Sequence, residues 1–408
     1  MGLTPLARTR RMRRMDKRRA RAALIITAAI HLLHDGLSSF LYVLFPIWQR
    51  EFVLSFAQIG FLRACYSGAL ALFQIPAGLL AERWGEARVL AAGTALTALG
   101  FLVLGTVGGV VALLVVLVAA GLGSGTQHPL GASLVSRAYE GGPQRFALGT
   151  FNFSGDLGKM LFPACAAFAF TWVGWRAVTQ GVGLLAAAGA VAALAGLGWL
   201  SRTPEPPTKT QPAPEGATSG WGIRDRRGFR TLAGIHGIDD GSRSVFLTFL
   251  PFLLLDKGAG MEMMGLAFGL LLGGGAAGKF FCGLLAERLG VIRTVILTEA
   301  ATAGGTLLLL VLPLYPALVL LPLLGVVLNG TSSVLYGTVP ELVVPEKRSR
   351  AYGLFYTIGI GCGASFPPCF GFLSDWAGIR VAFAVLAGFV ALTIPLAGIL
   401  RASIKERR

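Results

Sequence analysis

Hydrophobic residues occur in this chain as long continuous runs separated by short polar stretches. The first four runs are Ala22–Trp48, Phe56–Ala81, Leu90–Val107 and Val110–Ser136. Their lengths are close to or above the roughly 20 residues that an α-helix needs to cross a bilayer. Eight further runs bring the total to twelve: Phe146–Trp172, Ala177–Leu200, Thr231–Leu255, Met263–Ala286, Val291–Leu312, Ala317–Val339, Ala351–Ser374 and Val381–Leu400.

These runs predict an all-α integral membrane protein with twelve transmembrane helices, because a helix satisfies its backbone hydrogen bonds within its own segment. The longest polar stretch divides them into two sets of six. It contains five prolines together with glycine and charged residues, as is typical of a flexible linker. The predicted parts are a basic arm (1–21), a first six-helix bundle (22–200), the linker (201–230), a second six-helix bundle (231–400) and a short tail (401–408).

Composition agrees with a membrane location, since 54% of residues are hydrophobic and 14% are charged, against about 25% charged in soluble domains. The net charge of +16 raises the alternative of a nucleic-acid-binding protein. The basic residues, however, concentrate in alternate loops, and the opposite loops hold only Arg50, Arg176, Lys257 and Arg380. This is the positive-inside pattern. We therefore predict a multi-pass protein of the inner (plasma) membrane with both termini and the linker in the cytoplasm, a lipid bilayer as its surroundings, no nucleic-acid partner and a monomeric state.

The two sets of six runs are related as an internal repeat. Ile30–Gly36 matches Ile235–Gly241, and Gly78–Gly85 matches Gly283–Gly290, with residue numbers that differ by 205 in both cases. A constant shift that preserves His, Asp, Glu, Arg and Gly together is not expected from chance similarity among apolar residues. The sequence therefore predicts two pseudo-symmetric six-helix bundles.

The loop after the second run resembles the signature loop of the major facilitator transporters, which lies between their second and third helices. That signature normally has Asp where this chain has Glu82. The resemblance implies the major facilitator fold, with parallel six-helix repeats, and a loop that helps to set the balance between inward-open and outward-open states. The residues concerned in the two copies are Gly78, Glu82, Arg83, Gly85, Arg88, Gly283, Glu287, Arg288 and Gly290.

Other stretches are similar to the fosmidomycin-resistance-type efflux branch of these transporters. The stretches are His31-x-x-His34-Asp35, Pro46, Leu54-Ser55-x-x-Gln58-x-Gly60, Gln74-Ile75-Pro76-x-Gly78 and Gly121-x-Gly123-Ser124-Gly125-x-x-His128-Pro129. The resemblance implies export of drugs or small metabolites in exchange for protons. The chain departs from the branch at Leu130, where an acid is common, and at Asp156 and Lys159, where Gly and Pro are expected.

Charged residues inside the runs are candidates for proton coupling, because each costs about 2.5–3.5 kcal/mol on membrane-insertion scales. Residues at i, i+3 and i+4 share one helix face, which places the polar side chains of the first run together and those of the seventh run together. A carboxylate can take and release a proton as its surroundings change, and a neighbouring histidine can relay it. The candidates are His31, His34, Asp35, Asp156, Lys159, His236, Asp239 and Asp240, with Asp35 and Asp240 foremost.

Cationic residues within the runs favour an anionic or zwitterionic organic substrate. Arg63 is expected to use Asp35 as its counter-ion when no substrate is bound. Glu299 is expected to be a structural polar residue, because the ninth helix usually lies away from the cavity in the architecture that the chain resembles. The predicted substrate-binding residues are Arg63, Tyr66, Gln74, His128, Arg243 and Lys279.

The sequence predicts a secondary transporter that works by alternating access and performs proton-coupled efflux, without a cofactor or enzymatic activity. Two alternatives remain. The first is a divalent-metal exporter, since histidine and carboxylate side chains are transition-metal ligands; its ligands would be His31, His34, Asp35, His236, Asp239 and Asp240. The second is a membrane binding or assembly protein that keeps the fold without transporting.

The loop charges generate a prediction about topology. In a cysteine-free background, single cysteines placed in the linker 201–230 should react with a membrane-impermeant maleimide only after the cells are opened. A cysteine placed at Arg380, on the predicted outer side, is the control and should react in intact cells. Labelling of the linker in intact cells would reverse the predicted orientation.

Overall fold

The computed structural model describes residues 5–140, 142–200, 221–344 and 348–404, and these residues are almost entirely helical. An isolated bridge between Ile223 and Val343 is the one strand-like pairing among them. The helices are α1 (Pro5–Glu51), α2 (Phe56–Trp84), α3 (Glu86–Leu104), α4 (Val110–Ser124), α5 (Gln127–Ala138), α6 (Gln144–Leu200), α7 (Arg226–Asp256), α8 (Met261–Leu289), α9 (Val291–Val311), α10 (Leu314–Leu342), α11 (Arg348–Ala377), α12 (Ile379–Ala391) and α13 (Thr393–Leu400).

These thirteen elements correspond to twelve membrane-spanning helices, as the hydrophobic runs predict. Helices α4 and α5 are two parts of one span, broken at Gly125 and Thr126, and α12 and α13 are two parts of the last span, broken at Leu392. Helix α6 contains two spans that meet at Gly174, whose φ of 76° is not helical. The fold is therefore all-α with six spans in each repeat.

Helix α1 begins at Pro5, well before the first hydrophobic run. No glycine or proline interrupts the chain between Pro5 and Gly36, and the Arg, Met, Ala and Leu residues of the arm are good helix formers. The described part of the basic arm therefore continues the first transmembrane helix. Residues 201–220 of the predicted linker lie outside the described residues, and Arg226–Arg230 already form the first turns of α7.

Left-handed glycines stand at equivalent turns of the two repeats. Gly85, between α2 and α3, has φ 85°, and Gly290, between α8 and α9, has φ 86°. Gly174 and Gly378 form a second such pair, each before the last span of its repeat, with φ of 76° and 88°. Side chains disfavour this conformation and glycine does not, so the repeat in the sequence is also a repeat in the backbone.

The chain forms two compact units whose boundaries do not coincide with the sequence repeats. Unit 1 comprises the described parts of Met1–Ser38, Leu72–Lys159 and Arg176–Thr210. Unit 2 comprises Ser39–Ala71, Met160–Trp175 and the described parts of Gln211–Arg408. Within unit 2, the carboxylate of Asp375 near the end of α11 accepts hydrogen bonds from Phe56 and Ala57 in the first turn of α2, at 2.7 and 2.9 Å. Unit 2 therefore contains segments from both repeats.

Glycine brings α6 into backbone contact with α1 inside unit 1. A Cβ atom added to Gly158 would overlap the carbonyl oxygen of Leu32, and one added to Gly155 would meet the side chains of His31 and Asp35. Small residues at helix contacts of this kind permit close approach in membranes. The polar residues of α1 and α6 are adjacent because these two glycines have no side chain.

We predict that Gly158→Ala destabilises the protein by about 1–3 kcal/mol, the usual cost of overpacking, because the helices must separate. Gly149→Ala in the same helix is the matched control, since an added Cβ there meets no atom within 4 Å. Thermal unfolding of the purified proteins in one detergent is the measurement. Equal unfolding midpoints for the two variants would contradict the packing argument.

Candidate functional site

Asp35 is the centre of a buried polar cluster in unit 1. Its side chain is 7% exposed, and its Oδ2 atom lies 2.9 Å from Nζ of Lys159 and 3.2 Å from Nε2 of His31. Its Oδ1 atom lies 3.6 Å from Nε2 of His128. Lys159 also lies 3.5 Å from Oδ1 of Asp156. Helices α1, α5 and α6 thus contribute two acids, one lysine and two histidines to a single cluster.

The hydrogen bonds of His31 determine where its proton lies. Its Nδ1 atom is 2.8 Å from the carbonyl oxygen of Phe151, and a carbonyl oxygen only accepts, so Nδ1 carries a hydrogen. The hydrogen in the contact between Nε2 and Asp35 can then belong to either partner. In one state His31 is an imidazolium beside a carboxylate, and in the other a neutral imidazole accepts from a protonated Asp35. The geometry of this contact is therefore compatible with a hydrogen on either His31 or Asp35.

His34 faces two hydroxyl groups instead of Asp35, although sequence reasoning placed it with the coupling residues. Its Nδ1 atom is 3.3 Å from Oγ of Ser124, and its Nε2 atom is 3.0 Å from Oγ1 of Thr94. Thr94 donates its own hydrogen to the carbonyl oxygen of Leu90 at 2.8 Å, so it accepts from Nε2. Both ring nitrogens of His34 are satisfied in the neutral form, which favours a structural role.

The second repeat places a related cluster within unit 2. Arg243 forms a hydrogen-bonded ion pair with Asp240, and its Nη1 atom lies 3.8 Å from Oδ2 of Asp239. Asp239 is also within hydrogen-bonding reach of Glu299 from α9. The sequence analysis expected Glu299 to be a structural polar residue and did not place it beside Asp239. The signal that could have revealed it is an acid within a hydrophobic run, 60 residues after another acid in the same repeat.

His236 occupies the place of His31 in this second cluster. The ring centroids of His31 and Phe151 are 4.2 Å apart, and those of His236 and Phe355 are 4.3 Å apart. The Nε2 atom of His236 is 3.5 Å from the hydroxyl group of Tyr336. The repeat therefore preserves the histidine and its aromatic neighbour, while the cation beside the acid differs: one is a lysine from α6, and the other is an arginine from the same helix as its acid.

Arg63 does not have the environment that the sequence suggested. Its guanidinium lies over the ring of Tyr42, 4.8 Å from the centroid, and 5.9 Å from the centroid of Tyr66. Its Nε and Nη1 atoms are buried and have no hydrogen-bond partner among the described residues. Asp35 is neutralised by Lys159, because lysine from α6 lies in the same unit. The expected pairing of Arg63 with Asp35 is therefore corrected.

The remaining predicted residues lie on α2, on α8 and in the signature loops that follow these two helices. Gln74 and Lys279 are half-buried, and their positions are equivalent in the two repeats. Glu82, Arg83 and Arg88 in the first signature loop are exposed, as are Glu287 and Arg288 in the second.

The acid that ties the first signature loop to the end of α5 is Glu86. It accepts a hydrogen bond from Ser133, and its Oε2 atom lies 3.2 Å from Nη1 of Arg137. Sequence reasoning singled out Glu82 at this loop because the family signature has an acid at that position. The contact made by Glu86 depends on where α5 ends, which the loop motif does not encode.

A metal-binding arrangement is present in part. Ligand atoms of His31, Asp35 and His128 all lie within 4.8 Å of one another, and this is the one group of three or more such ligands among the described residues. His34 is bonded to hydroxyl groups, and the acids of α7 belong to unit 2, so neither joins the group. A divalent ion would also have to displace the ammonium of Lys159 from Asp35.

Comparison with known proteins indicates the same class of protein as the fold does, a membrane transporter. The family model of the Major Facilitator Superfamily matches residues 27–238 and 232–407. The chain is 26% identical over 404 residues to the fosmidomycin resistance protein of Escherichia coli (strain K12), covering 96% of this chain and 95% of that protein. It is also 26% identical over 389 residues to the uncharacterized MFS-type transporter YfnC of Bacillus subtilis (strain 168), covering 91% and 92% respectively.

Solved structures with the same fold include transporters of other kinds. A bacterial homolog of the human lysosomal transporter Spinster, in an inward-facing and unoccupied conformation, superposes with a TM-score of 0.76 at 16% identity, covering 94% of this chain and 97% of that one. A point mutant of the nucleoside transporter NupG gives a TM-score of 0.76 at 15% identity, covering 94% of this chain and 100% of that one. The family match spans both repeats, and the fold agrees with it. The chain is a multi-pass membrane transporter that belongs to the Major Facilitator Superfamily.

Proposed function

We propose that this transporter exports a small anionic or zwitterionic organic solute in exchange for protons, by alternating access, from the inner membrane with both termini in the cytoplasm. The observation that carries the proposal is the contact of one buried carboxylate, Asp35, with both Lys159 and His31. A charged acid inside the membrane persists when it has a function or a partner. Here one partner of Asp35 is Lys159, a cation that can itself bind a substrate anion.

Proton coupling follows from competition between the solute and a proton for the polar cluster. The side chain of Lys159 is 36% exposed, whereas that of Asp35 is 7% exposed, so a solute anion can approach the lysine more easily than the acid. A zwitterionic solute whose anionic group binds Lys159 can place its cationic group beside Asp35, and an added cation favours the ionised carboxylate over the protonated one. The proton on Asp35 therefore leaves through His31 when the solute binds. Departure of the solute lets Asp35 take up a proton again, so solute and proton cross the membrane in opposite directions.

Arg63 provides a second feature that suits an anion. Two of its nitrogens are buried without a hydrogen-bond partner among the described residues, although a buried guanidinium ordinarily finds acceptors. The rings of Tyr42 and Tyr66 hold it in place by cation–π contact. A carboxylate or phosphonate group of a solute would satisfy its planar array of donors.

The direction of transport is proposed from the relatives. One relative, matched over nearly the whole chain, carries the name fosmidomycin resistance protein, and resistance through a transporter implies removal of the compound from the cell. Fosmidomycin is therefore the first compound to test. A thermal-shift screen of small anions on the purified protein would identify other substrates.

A divalent metal exporter is the second candidate, and the cluster of His31, Asp35 and His128 is the observation that favours it. The cation on Lys159 at 2.9 Å from Asp35 opposes it. The transported species decides between the two functions, because an anion would bind together with Lys159 and a metal ion would have to replace it.

We predict that Asp35→Asn removes one coupled proton and so strongly weakens transport driven by a pH gradient, while the protein still inserts and folds. The amide keeps the shape of the carboxyl group but cannot take up and release a proton. The measurement is uptake of labelled fosmidomycin, or of the anion found by screening, into proteoliposomes with an imposed pH gradient. Exchange of solute without a gradient should survive, because that reaction does not require net proton movement.

Glu262→Gln is the control for this experiment, since Glu262 is an exposed acid in the first turn of α8. It should transport at the wild-type rate. Gradient-driven transport by Asp35→Asn at the wild-type rate, with unchanged pH dependence, would show that the carboxylate is structural.

We also predict that Arg63→Gln weakens binding of the anionic solute by about 1.5–3 kcal/mol, the usual worth of a hydrogen bond to a charged group. Arg63→Lys should restore only part of the affinity, because an ammonium lacks the planar fork of donors. The control is Arg380→Gln, since Arg380 is 59% exposed and pairs with Asp256 at 2.7 Å.

Isothermal titration of the purified variants measures these affinities. Wild-type affinity in Arg63→Gln would remove Arg63 from the binding site. A preferred ligand that is a divalent cation, with affinity lost in His128→Ala, would replace the anion proposal with the metal function.

A further inference from the structure

We propose that Asp239 and Glu299 form a carboxyl pair that holds one shared proton, and that this pair is a second proton-binding site of the transporter. The inference deepens the proposed function and rests on it for the coupling role, although the shared proton itself can be measured without transport. The site lies within unit 2, between α7 and α9.

Burial and contact place the two acids together. Asp239 is 4% exposed and Glu299 is 2% exposed, the equivalent side chains of the first repeat are in direct contact at 3.0 Å, and the two carboxyl groups interact as hydrogen-bonding partners. Two ionised carboxylates repel and offer no hydrogen for such a contact, so one of them must carry a proton. The pair is therefore an acid that donates to a carboxylate.

A hydroxyl group adds to the surroundings of Glu299. Thr393 approaches its Oε2 atom at 3.4 Å. The Oδ2 atom of Asp239, by contrast, is buried and has no hydrogen-bond partner among the described residues. An acceptor left open beside a protonated acid is a position to which the proton can move.

Counting local charge gives the same result. Asp239, Asp240 and Glu299 are three acids, and Arg243 is the one cation paired with any of them within the described residues. Asp240 makes the direct ion pair with Arg243, whereas Asp239 is 3.8 Å from it. Two uncompensated negative charges in a membrane interior are strongly unfavourable, so protonation of the pair is the more stable arrangement.

The other titratable groups around the pair do not supply the missing positive charge. His236, on α7, is stacked on Phe355, and its Nδ1 atom has no hydrogen-bond partner among the described residues. Tyr336, on α10, is near His236 and stacks on Tyr356 of α11 at 4.6 Å. These groups are neutral in such surroundings. Within the part of the chain that the structure describes, Arg243 is thus the cation that can move between Asp240 and Asp239.

The first repeat shows that the fold does not require acids at these positions. Residues 205 positions earlier are His34 and Thr94, and their side chains are bonded to each other at 3.0 Å as a neutral pair. The same pair of backbone positions thus holds a satisfied, uncharged contact in unit 1 and a proton-sharing pair of acids in unit 2. The packing of the repeat does not require these acids, so their presence adds a chemical property to the second repeat.

Movement of Arg243 provides the means of coupling. While it pairs with Asp240, the Asp239–Glu299 pair keeps its proton. Solute binding that turns Arg243 away from Asp240 changes this balance. When Arg243 then turns fully toward Asp239, the positive charge beside the pair increases and the proton leaves as an ion, with no covalent bond formed. A transporter with this site and the Asp35 site exchanges two protons for one solute.

The first test uses infrared difference spectroscopy on the full-length protein in lipid at neutral pH. The wild type should show the carbonyl stretch of a protonated carboxylic acid that does not shift in wavenumber with external pH. Glu299→Gln should lose this band, because Asp239 then ionises beside Arg243. Glu262→Gln, which changes an exposed acid, should keep it. An unchanged band in Glu299→Gln would overturn the shared proton.

The second test measures the steady-state solute ratio across proteoliposomes at several pH gradients, with the membrane potential clamped to zero. Each coupled proton contributes about tenfold to this ratio per pH unit, so the slope should fall from about two to about one in Glu299→Gln. An unchanged slope would overturn the coupling role and leave a structural pair. Failure of proton-driven export itself appears separately, as a wild-type slope of zero or an unaffected Asp35→Asn.

Discussion

The absence of water in the bilayer is the constraint on which the rest of this structure depends. Backbone groups must be satisfied within helices, and each ionised side chain must find a partner inside the protein. Asp35 meets this requirement with Lys159 inside unit 1, and Asp240 meets it with Arg243 inside unit 2. Such a residue is useful for transport when a substrate or a proton can replace its partner.

The two repeats show how one backbone frame carries different chemistry. The histidine and its aromatic neighbour are kept, as are the left-handed glycines that end the second span of each repeat. The cation beside the acid comes from another helix in unit 1 and from the same helix in unit 2. In the second repeat, Gly363 of α11 lies beside Asp240, and Arg243 of α7 supplies the cation. Symmetry of packing therefore does not impose symmetry of charge.

Glycine contacts link the packing to this chemistry. Gly155 and Gly158 let α6 approach α1, and the approach brings Lys159 to Asp35. Two glycines of α11 stand against the histidine and the acid of α7 in the same way. A residue with no side chain at these positions is thus part of the functional arrangement, because it sets the distance at which the charged groups meet.

The sequence by itself determined the number of spans, the all-α class and the repeat, because membrane insertion depends on the length and polarity of local segments, and repetition is visible as a constant spacing. It also identified Asp35, Lys159, Asp239 and Arg243, since a charge within an apolar run is conspicuous. Only the tertiary structure decided their partners. Asp35 pairs with Lys159 instead of Arg63, His34 is bonded to hydroxyl groups, and Glu299 contacts Asp239. Such partners lie 60 to 124 residues apart in sequence, and helix packing brings them together through contacts that local hydrophobicity does not encode.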